Sequence, residues 1–583
     1  MRQPVRYDVD LTDRRQHLVR VTLSLPDDLA AGARVVLSAW TPGSYVIRDY
    51  VHHVQWIHAL DDRGPISLIP DGTSAWRLAD DVASGARVDL ELYANDLSVR
   101  TNHVDDQHAL LIPAATFPWV EGARDRPHEV HLVATPSHHR VFSLLPEADA
   151  ADTWIADDLD HLIDSAFEVG DHQQAAWEVA GVAHQFVWAG PGRIHGLDDL
   201  ATDAEAISRE AVTLFDGALP ARHHTTLCVA WDRGGGGLEH RDGAVLQVPV
   251  HTFGDPAMRA RLQVLYAHEY LHLFNARRLV PAALVSPDLE RPVQTESLWV
   301  AEGWTSYYDE LLPTRAGAWT AAQWLDHLGS ALDQVWTTPG VELQSLRQAS
   351  RDAWVKHYVR DENSPNAGTD YYNHGALVAW ELDLRIRGAD PDSDGLDVVL
   401  RQLWDRHAGA VEGYTEDDVL AAIGDVAGDA LRELARTRVD TPGWPDIDDE
   451  LLAPFGLRLE PASPSTPAAP DLGVVVTEDD RGVTFASVLR DGSAWRAGIT
   501  GGDRLVAIDA ITVGRGELSA ALAARDAGDV VEIAVVRGPR LLTLPVELDA
   551  PRRRHRLATV DTPDAAQRQA FRRWTGQDLP TNR

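Results

Sequence analysis

Over roughly the first 165 residues apolar and polar positions alternate in short runs separated by turn residues. HLVRVTLSLP, ARVVLSAWTPGSY, ARVDLELYAND, HALLIPAATFPWV and HEVHLVAT each read with a period of two, as strands that bury one face do. This predicts an all-β N-terminal domain over 1–168. HTTLCVAWDRGGGGLEHRDGAVLQVPV still reads as strands about a glycine turn. Beyond it the period lengthens to that of helices. The helical stretches are MRARLQVLYAHEYLHLFNARRL, SLWVAEGWTSYYDELL, AAQWLDHLGSALDQVW, YYNHGALVAWELDLRIRG, GLDVVLRQLWDRH and TEDDVLAAIGDVAG. A strand-then-helix domain is predicted over 169–458. PASPSTPAAP lies in a Pro-, Ala- and Ser-rich linker, 459–470, that cannot build a core. Short strands and turns return over 471–548, a small β-module. The tail, 549–583, holds one helix in TPDAAQRQAFRRWTG. Thr562 is its expected cap, Pro563 its first turn and Gly576 its stop, with Phe571 and Trp574 on one face suited to docking.

A chain of 583 residues exceeds what one core can organise, and 44% hydrophobic with 24% charged residues is ordinary for a globular protein. The net charge of −36 weighs against nucleic acid and against an anionic membrane surface as partners. One cysteine, Cys228, excludes an intrachain disulfide and any cysteine-based zinc cluster. It reads as a packed thiol. Any metal must be held by histidines and carboxylates. MRQPVRYDVDLTDRRQHLVR has no apolar segment of the signal-peptide kind and no run approaches a membrane span, so a cytoplasmic protein is expected.

YAHEYLHLFNARRL places His268, Glu269 and His272 in an HExxH pattern. With 25 histidines, chance produces this pattern in roughly one such chain in twenty, so the motif alone does not decide. On a helix, residues four apart share a face, so two imidazoles can address one ion. Glu269 is placed to take a proton from a water on that ion. The surrounding residues are apolar (Leu262, Leu265, Leu271, Leu273, Phe274), and an idle polar triad would be costly to bury among them. A third ligand is needed. Glu302 is preferred, after the 29 residues 273–301; a glycine follows it and bulky apolar residues flank it. Glu296 is the rival.

HEYLHLFNARRLVP followed by LWVAEGWTSYYDELL resembles the glycyl aminopeptidase family of PDZ-containing gluzincin metallopeptidases. WTPGSYVIRDYVHHV (40–54) resembles the family's N-terminal β-domain signature, GGLEH (236–240) its substrate-edge motif, and YYNHGALVAWELDLRIRG its later helix. The module after the linker resembles a PDZ domain. Phe274, Ala276 and His374 stand where the family pattern has Trp, Lys and Lys. The resemblance implies a thermolysin-like α/β catalytic domain with a helical second half, between the β-domain and the PDZ module. It implies one zinc per chain, on His268, His272 and Glu302. It implies that Tyr372 steadies the oxyanion, with Tyr371 the weaker candidate, and that Glu239 anchors a substrate α-ammonium, with Gly236 and Gly237 admitting the peptide backbone. The substrates expected are peptides with a free N-terminus and a small first residue, glycine or alanine. A peptide C-terminus is the expected partner of DLGVVV (471–476). The rival readings are a zinc endopeptidase and a non-catalytic PDZ scaffold.

Overall fold

The computed structural model describes residues 3–133, 139–232, 234–461, 469–552 and 554–581. The chain divides into two compact units. One comprises Met1–Thr295, Tyr308–Trp319 and Leu400–Asp418; the other comprises Glu296–Tyr307, Thr320–Val399 and Val419–Arg583.

In the first unit the period-two pattern becomes sheet. Val5–Asp10 buries Val5, Tyr7 and Val9 on one face. It runs parallel to His128–Val133 and antiparallel to Leu18–Ser24, and these three belong to a seven-stranded sheet. A second sheet orders Arg140–Ser143, Phe167–Gly170, His108–Leu111, Thr101–Val104 and Asn95–Ser98. A third, of four strands, contains Arg34–Val36. Two strand-like runs are only partly strand. In HALLIPAATFPWV the strand stops at Leu111, because Pro113 opens the short helix Pro113–Thr116. ARVVLSAWTPGSY leaves the sheet after Val36, and the Trp40 indole N–H donates to the Asp288 carbonyl at 2.8 Å.

The next sheet of this unit runs Gln173–Val179, Val182–Ala189, His223–Trp231, Gly243–Pro249, Gly236–His240. The middle three are parallel and the two outer pairings antiparallel. One apolar cluster joins it to the N-terminal sheets, from Val5 and Tyr7 through Phe167 to Val187, Leu227 and Val245. Two helices pack here. Leu197–Leu214 is absent from the pattern reading above; Pro256–Leu271 carries the HExxH residues. They are tied by Ser208 Oγ and Tyr266 OH, 2.8 Å apart. The second helix ends at Leu271 instead of continuing toward Leu279. The chain turns back through Ala276 at φ 104°, and the Leu279 N–H donates to Phe274 O.

The second unit is helical with a β-module. Ala321–Trp336 begins in a Thr320–Gln323 capping box, and Asn373–Ala389 is buried along most of its length. The β-module is a sheet built on Val474–Asp479, Gly482–Val488, Arg504–Ile508, Val530–Arg537 and Arg540–Glu547. Most of the linker, 462–468, lies outside the described residues. On either side of the module Leu457–Pro461 and His555–Thr559 pair antiparallel. The tail helix is Ala565–Thr575. Asp564, not Thr562, caps it, because its carboxylate reaches the Gln567 N–H in a capping box; Gly576 ends it at φ 73°. Trp574 is fully buried. It donates to Tyr307 OH at 2.9 Å, and that hydroxyl donates to Asp383 Oδ2 at 2.5 Å. Among the described residues no helix is long and apolar enough to cross a membrane.

Trp574→Ala removes a ring packed 4.7 Å from that of Trp324 and 5.3 Å from that of Phe455. It is expected to cost about 3–5 kcal/mol of stability, read as a lowered unfolding midpoint in denaturant.

Candidate active site

The helix Pro256–Leu271 starts firmly. Asp255 accepts from the N–H groups of Ala257 and Met258, and Pro256 occupies its first position. One face buries Leu262, Tyr266, Tyr270 and Leu271. His272 lies just past the last helical residue but keeps helical dihedrals, and its N–H reaches His268 O at 3.2 Å. The two imidazoles therefore stay neighbours. His268 Nδ1 is 2.8 Å from Asp309 Oδ2, and His272 Nδ1 is 2.8 Å from the Asn275 carbonyl. A carbonyl only accepts, so His272 carries its proton on Nδ1 and leaves Nε2 a lone pair. An ionised Asp309 sets the same tautomer on His268. The two Nε2 atoms then face each other at 3.1 Å, lone pair to lone pair. Two nitrogens bound tetrahedrally to one zinc would lie about 3.3 Å apart, so the pair fits such an ion. Burial pushes the Asp309 carboxyl up to about 7, against the pull of His268. A cation at the Nε2 pair would hold it ionised.

Glu269 is buried beside this pair and faces the strand Gly236–His240. A Cβ on Gly237 would sit 2.1 Å from Glu269 Oε1, so only glycine allows this approach. Side chains two apart share a strand face, which puts Glu239 beside Gly237. Glu239, Glu269 and His272 each bring one ligand-type atom within 4.8 Å of the others. The strand pairs with Gly243–Pro249 along one edge and ends the sheet among the described residues. Arg100 donates to Gly237 O at 3.2 Å; Arg277 donates to Glu239 O at 2.8 Å and lies 3.2 Å from Glu239 Oε1. The turn of WTPGSY closes over the same carboxylate: a Cβ on Gly43, at φ 87°, would lie 2.6 Å from Glu239 Oε2. Arg277 also lies 3.5 Å from Asp164, which accepts from His240 and from the Arg241 N–H. Burial raises the Asp164 carboxyl, but Arg277 and His240 outweigh it and keep it ionised.

In the second unit Glu302 is buried at the junction of the helices Leu298–Ala301 and Gly303–Arg315. The segment read as one helix is thus broken at this residue. Gly303 and Gly375 meet backbone to backbone; a Cβ on Gly303 would lie 2.7 Å from Gly375 Cα and 2.7 Å from Tyr371 O. This contact brings Tyr371 and Tyr372 toward Glu302. Tyr372 is half-buried, and Asp370 accepts its N–H. Its ring stacks 4.8 Å from Tyr371 and 5.3 Å from His357, with Tyr358 OH 3.5 Å from its hydroxyl. Burial, then the Glu302 charge, pushes the Tyr372 phenol well above its ordinary value, so it remains an O–H donor. Glu296, the rival ligand, is paired with Arg347 at 2.7 Å and is 43% exposed.

Sequence reasoning missed Asp309, Asn275, Arg277, Arg100 and Asp164. Only Asp309 had a readable signal, its place seven residues after Glu302. Cys228 is buried, and burial pushes its thiol far up, so it is no nucleophile. His224 lies in the same strand and burial keeps it neutral. Its neighbour His223 binds the Leu144 carbonyl.

Residues 261–378 match the M61 glycyl aminopeptidase family, residues 6–171 the peptidase M61 N-terminal domain, and residues 470–548 a PDZ domain. A crystal structure of an aminopeptidase N family protein from Idiomarina loihiensis is similar over 97% of this chain and 100% of that chain, at 28% identity and a TM-score of 0.92. An M1 zinc metallopeptidase from Deinococcus radiodurans is matched over 76% of this chain and 95% of that chain, at 12% identity and a TM-score of 0.45. No curated protein matches. The two M61 peptidase segments and the PDZ segment are matched in chain order, so the chain is similar to the M61 glycyl aminopeptidases in its N-terminal and catalytic segments and to PDZ domains after them.

Proposed function

We propose that this peptidase is a zinc aminopeptidase that removes small N-terminal residues, glycine or alanine, from peptides. The observation that carries the reading is the His268–His272 pair, whose Nδ1 atoms are engaged elsewhere and whose Nε2 atoms stand 3.1 Å apart. By the resemblance to the glycyl aminopeptidases, His268, His272 and Glu302 would hold one zinc ion. The start of the following helix supports Glu302. It directly precedes Gly303–Arg315, its carbonyl accepts the Ser306 N–H, and a face repeats about every seven residues, the distance to Asp309. When bound, zinc supplies a Lewis acid that polarises the scissile carbonyl and acidifies the attacking water.

The chain's own residues do the rest. Glu269 takes the proton of the attacking water and delivers it to the leaving amine. Tyr372 donates its O–H to the oxygen on which negative charge develops. The edge strand Gly236–His240 pairs with the substrate backbone, and Glu239 accepts from the α-ammonium. In the PDZ domain, Val474–Asp479 pairs only with Gly482–Val488 among the described residues, and Val475 and Val476 are exposed. That free edge supports addition of a peptide C-terminus as a further strand.

One observation favours a second reading, an endopeptidase. Arg277 already pairs with Glu239, which leaves less negative charge for an ammonium group. Zinc analysis coupled to hydrolysis of Gly-, Ala- and Leu-capped chromogenic amides, each with an N-blocked control, separates the two. The aminopeptidase cleaves the free Gly and Ala compounds, spares the blocked ones and loses activity with its zinc. Equal cleavage of blocked and free compounds establishes the endopeptidase.

Glu269→Gln is expected to lower kcat by about 10³-fold with zinc content unchanged, because the base is lost and the ligands are not. Gly237→Ala is expected to lower kcat/KM by about 100-fold, also with zinc retained, since the added methyl must displace either Glu269 or the strand. Metal content and steady-state rates on the glycyl amide check both.

A further inference from the structure

A second histidine–carboxylate cluster lies in the N-terminal β-domain. The hairpin of Thr101–Val104 and His108–Leu111 carries the run HVDDQH, 103–108. His103, Asp105 and His108 each bring one ligand-type atom within 4.8 Å of the others. The site is preorganised. Asp105 Oδ1 accepts the N–H groups of Gln107 and His108, which fixes the turn and leaves Oδ2 for another partner. Asp105 Oδ2 lies 3.3 Å from His103 Nε2. This is about the edge of a tetrahedron with 2.0 Å metal–ligand bonds. His108 Nδ1 lies 3.0 Å from Glu168 Oε1, so the carboxylate holds the proton on Nδ1 and leaves Nε2 a lone pair.

Two further buried polar atoms lack a hydrogen-bond partner. His103 is 5% exposed, and its buried Nδ1 has no hydrogen-bond partner. If Nε2–H donates to Asp105, a bare Nδ1 lone pair is buried; if Nδ1 holds the proton, a buried donor is orphaned and the Nε2 lone pair faces a carboxylate. A cation shared by His103 Nε2 and Asp105 removes that repulsion. Glu168 is fully buried, accepts from His108 and His172 on Oε1, and has no partner on Oε2. Asp105 and Glu168 bring two carboxylates into this buried cluster, where a divalent ion would find balancing negative charge.

We propose that His103, Asp105 and His108 form a second metal site, for a first-row divalent ion such as Zn²⁺, with Glu168 orienting His108. Two imidazoles and a carboxylate suit zinc and its neighbours better than calcium or magnesium. The ion would staple the tip of a hairpin whose other end, at Arg100, holds Gly237 of the strand facing Glu269. Trp231, its ring 5.5 Å from that of His103, covers one side. The site is structural and stands apart from the HExxH pair.

The test counts zinc in the full-length protein after chelator stripping, reloading with Zn²⁺ and desalting. The wild type is expected to hold about two zinc ions per chain, and the paired variants His268→Ala/His272→Ala and Asp105→Asn/His108→Gln about one each. Full zinc retention in Asp105→Asn/His108→Gln, or none in His268→Ala/His272→Ala, overturns the proposal. Where the hairpin variant fails to fold, the melting temperature of His268→Ala/His272→Ala reads the same site with the hairpin intact. Zn²⁺ should raise it by several degrees, and no rise overturns the proposal.

Discussion

A helix that buries histidines and a glutamate must find each of them a partner, and in this protein that requirement organises the site. His268 and His272 spend their Nδ1 atoms on Asp309 and on the Asn275 carbonyl, which fixes both rings and turns both Nε2 atoms toward one point. The carbonyl that orients His272 exists because the helix stops at Leu271 and the chain folds back. Had the helix run on to Leu279, the Asn275 carbonyl would have been committed to the helical ladder. Early termination is thus a condition of the geometry, not a fraying end.

Glycine contacts set the remaining distances. Gly237 lets a strand lie against Glu269, Gly43 lets a turn of the N-terminal domain close on Glu239, and Gly303 against Gly375 brings two helices together beside Glu302 and Tyr372. In each place the nearest atoms would overlap a methyl group. These glycines are therefore positional requirements of the carboxylates, and Gly237, Gly303 and Gly375 each lie one to three residues from a group that would take part in chemistry.

How much was legible follows from the same physics. The fold class was readable because strands and helices bury faces at different periods, and Val5–Asp10 or Ala321–Trp336 display those periods cleanly. The helix Leu197–Leu214 was missed although its signal was present, since Leu197, Leu200, Ile207, Val212 and Leu214 all lie on its buried face. HALLIPAATFPWV misled because a buried proline-started turn of helix is as apolar as a strand. The Thr562 cap failed because Asp564, two residues on, competes better for the first free N–H groups. At the site, the four-residue spacing of His268 and His272 was local and therefore visible. Arg277 beside Glu239 and Arg100 on Gly237 depend on contacts made across 38 and 137 positions, and no spacing encodes them.

The tail changes what the PDZ domain is mechanically. Read as sequence, it hangs from a proline-rich linker. In the fold, the strands entering and leaving it pair with each other from Leu457 against Thr559 to Pro461 against His555, so the domain is an insertion held at both ends. Asn366 fastens it again, donating to Val488 O and accepting from the Arg490 N–H at 2.8 Å each. That asparagine lies in Ser364–Ala367, a few residues before Tyr372. A domain fixed at three points loses the freedom of a tethered bead. Asn366 thus ties the PDZ domain to the segment that leads into Tyr372.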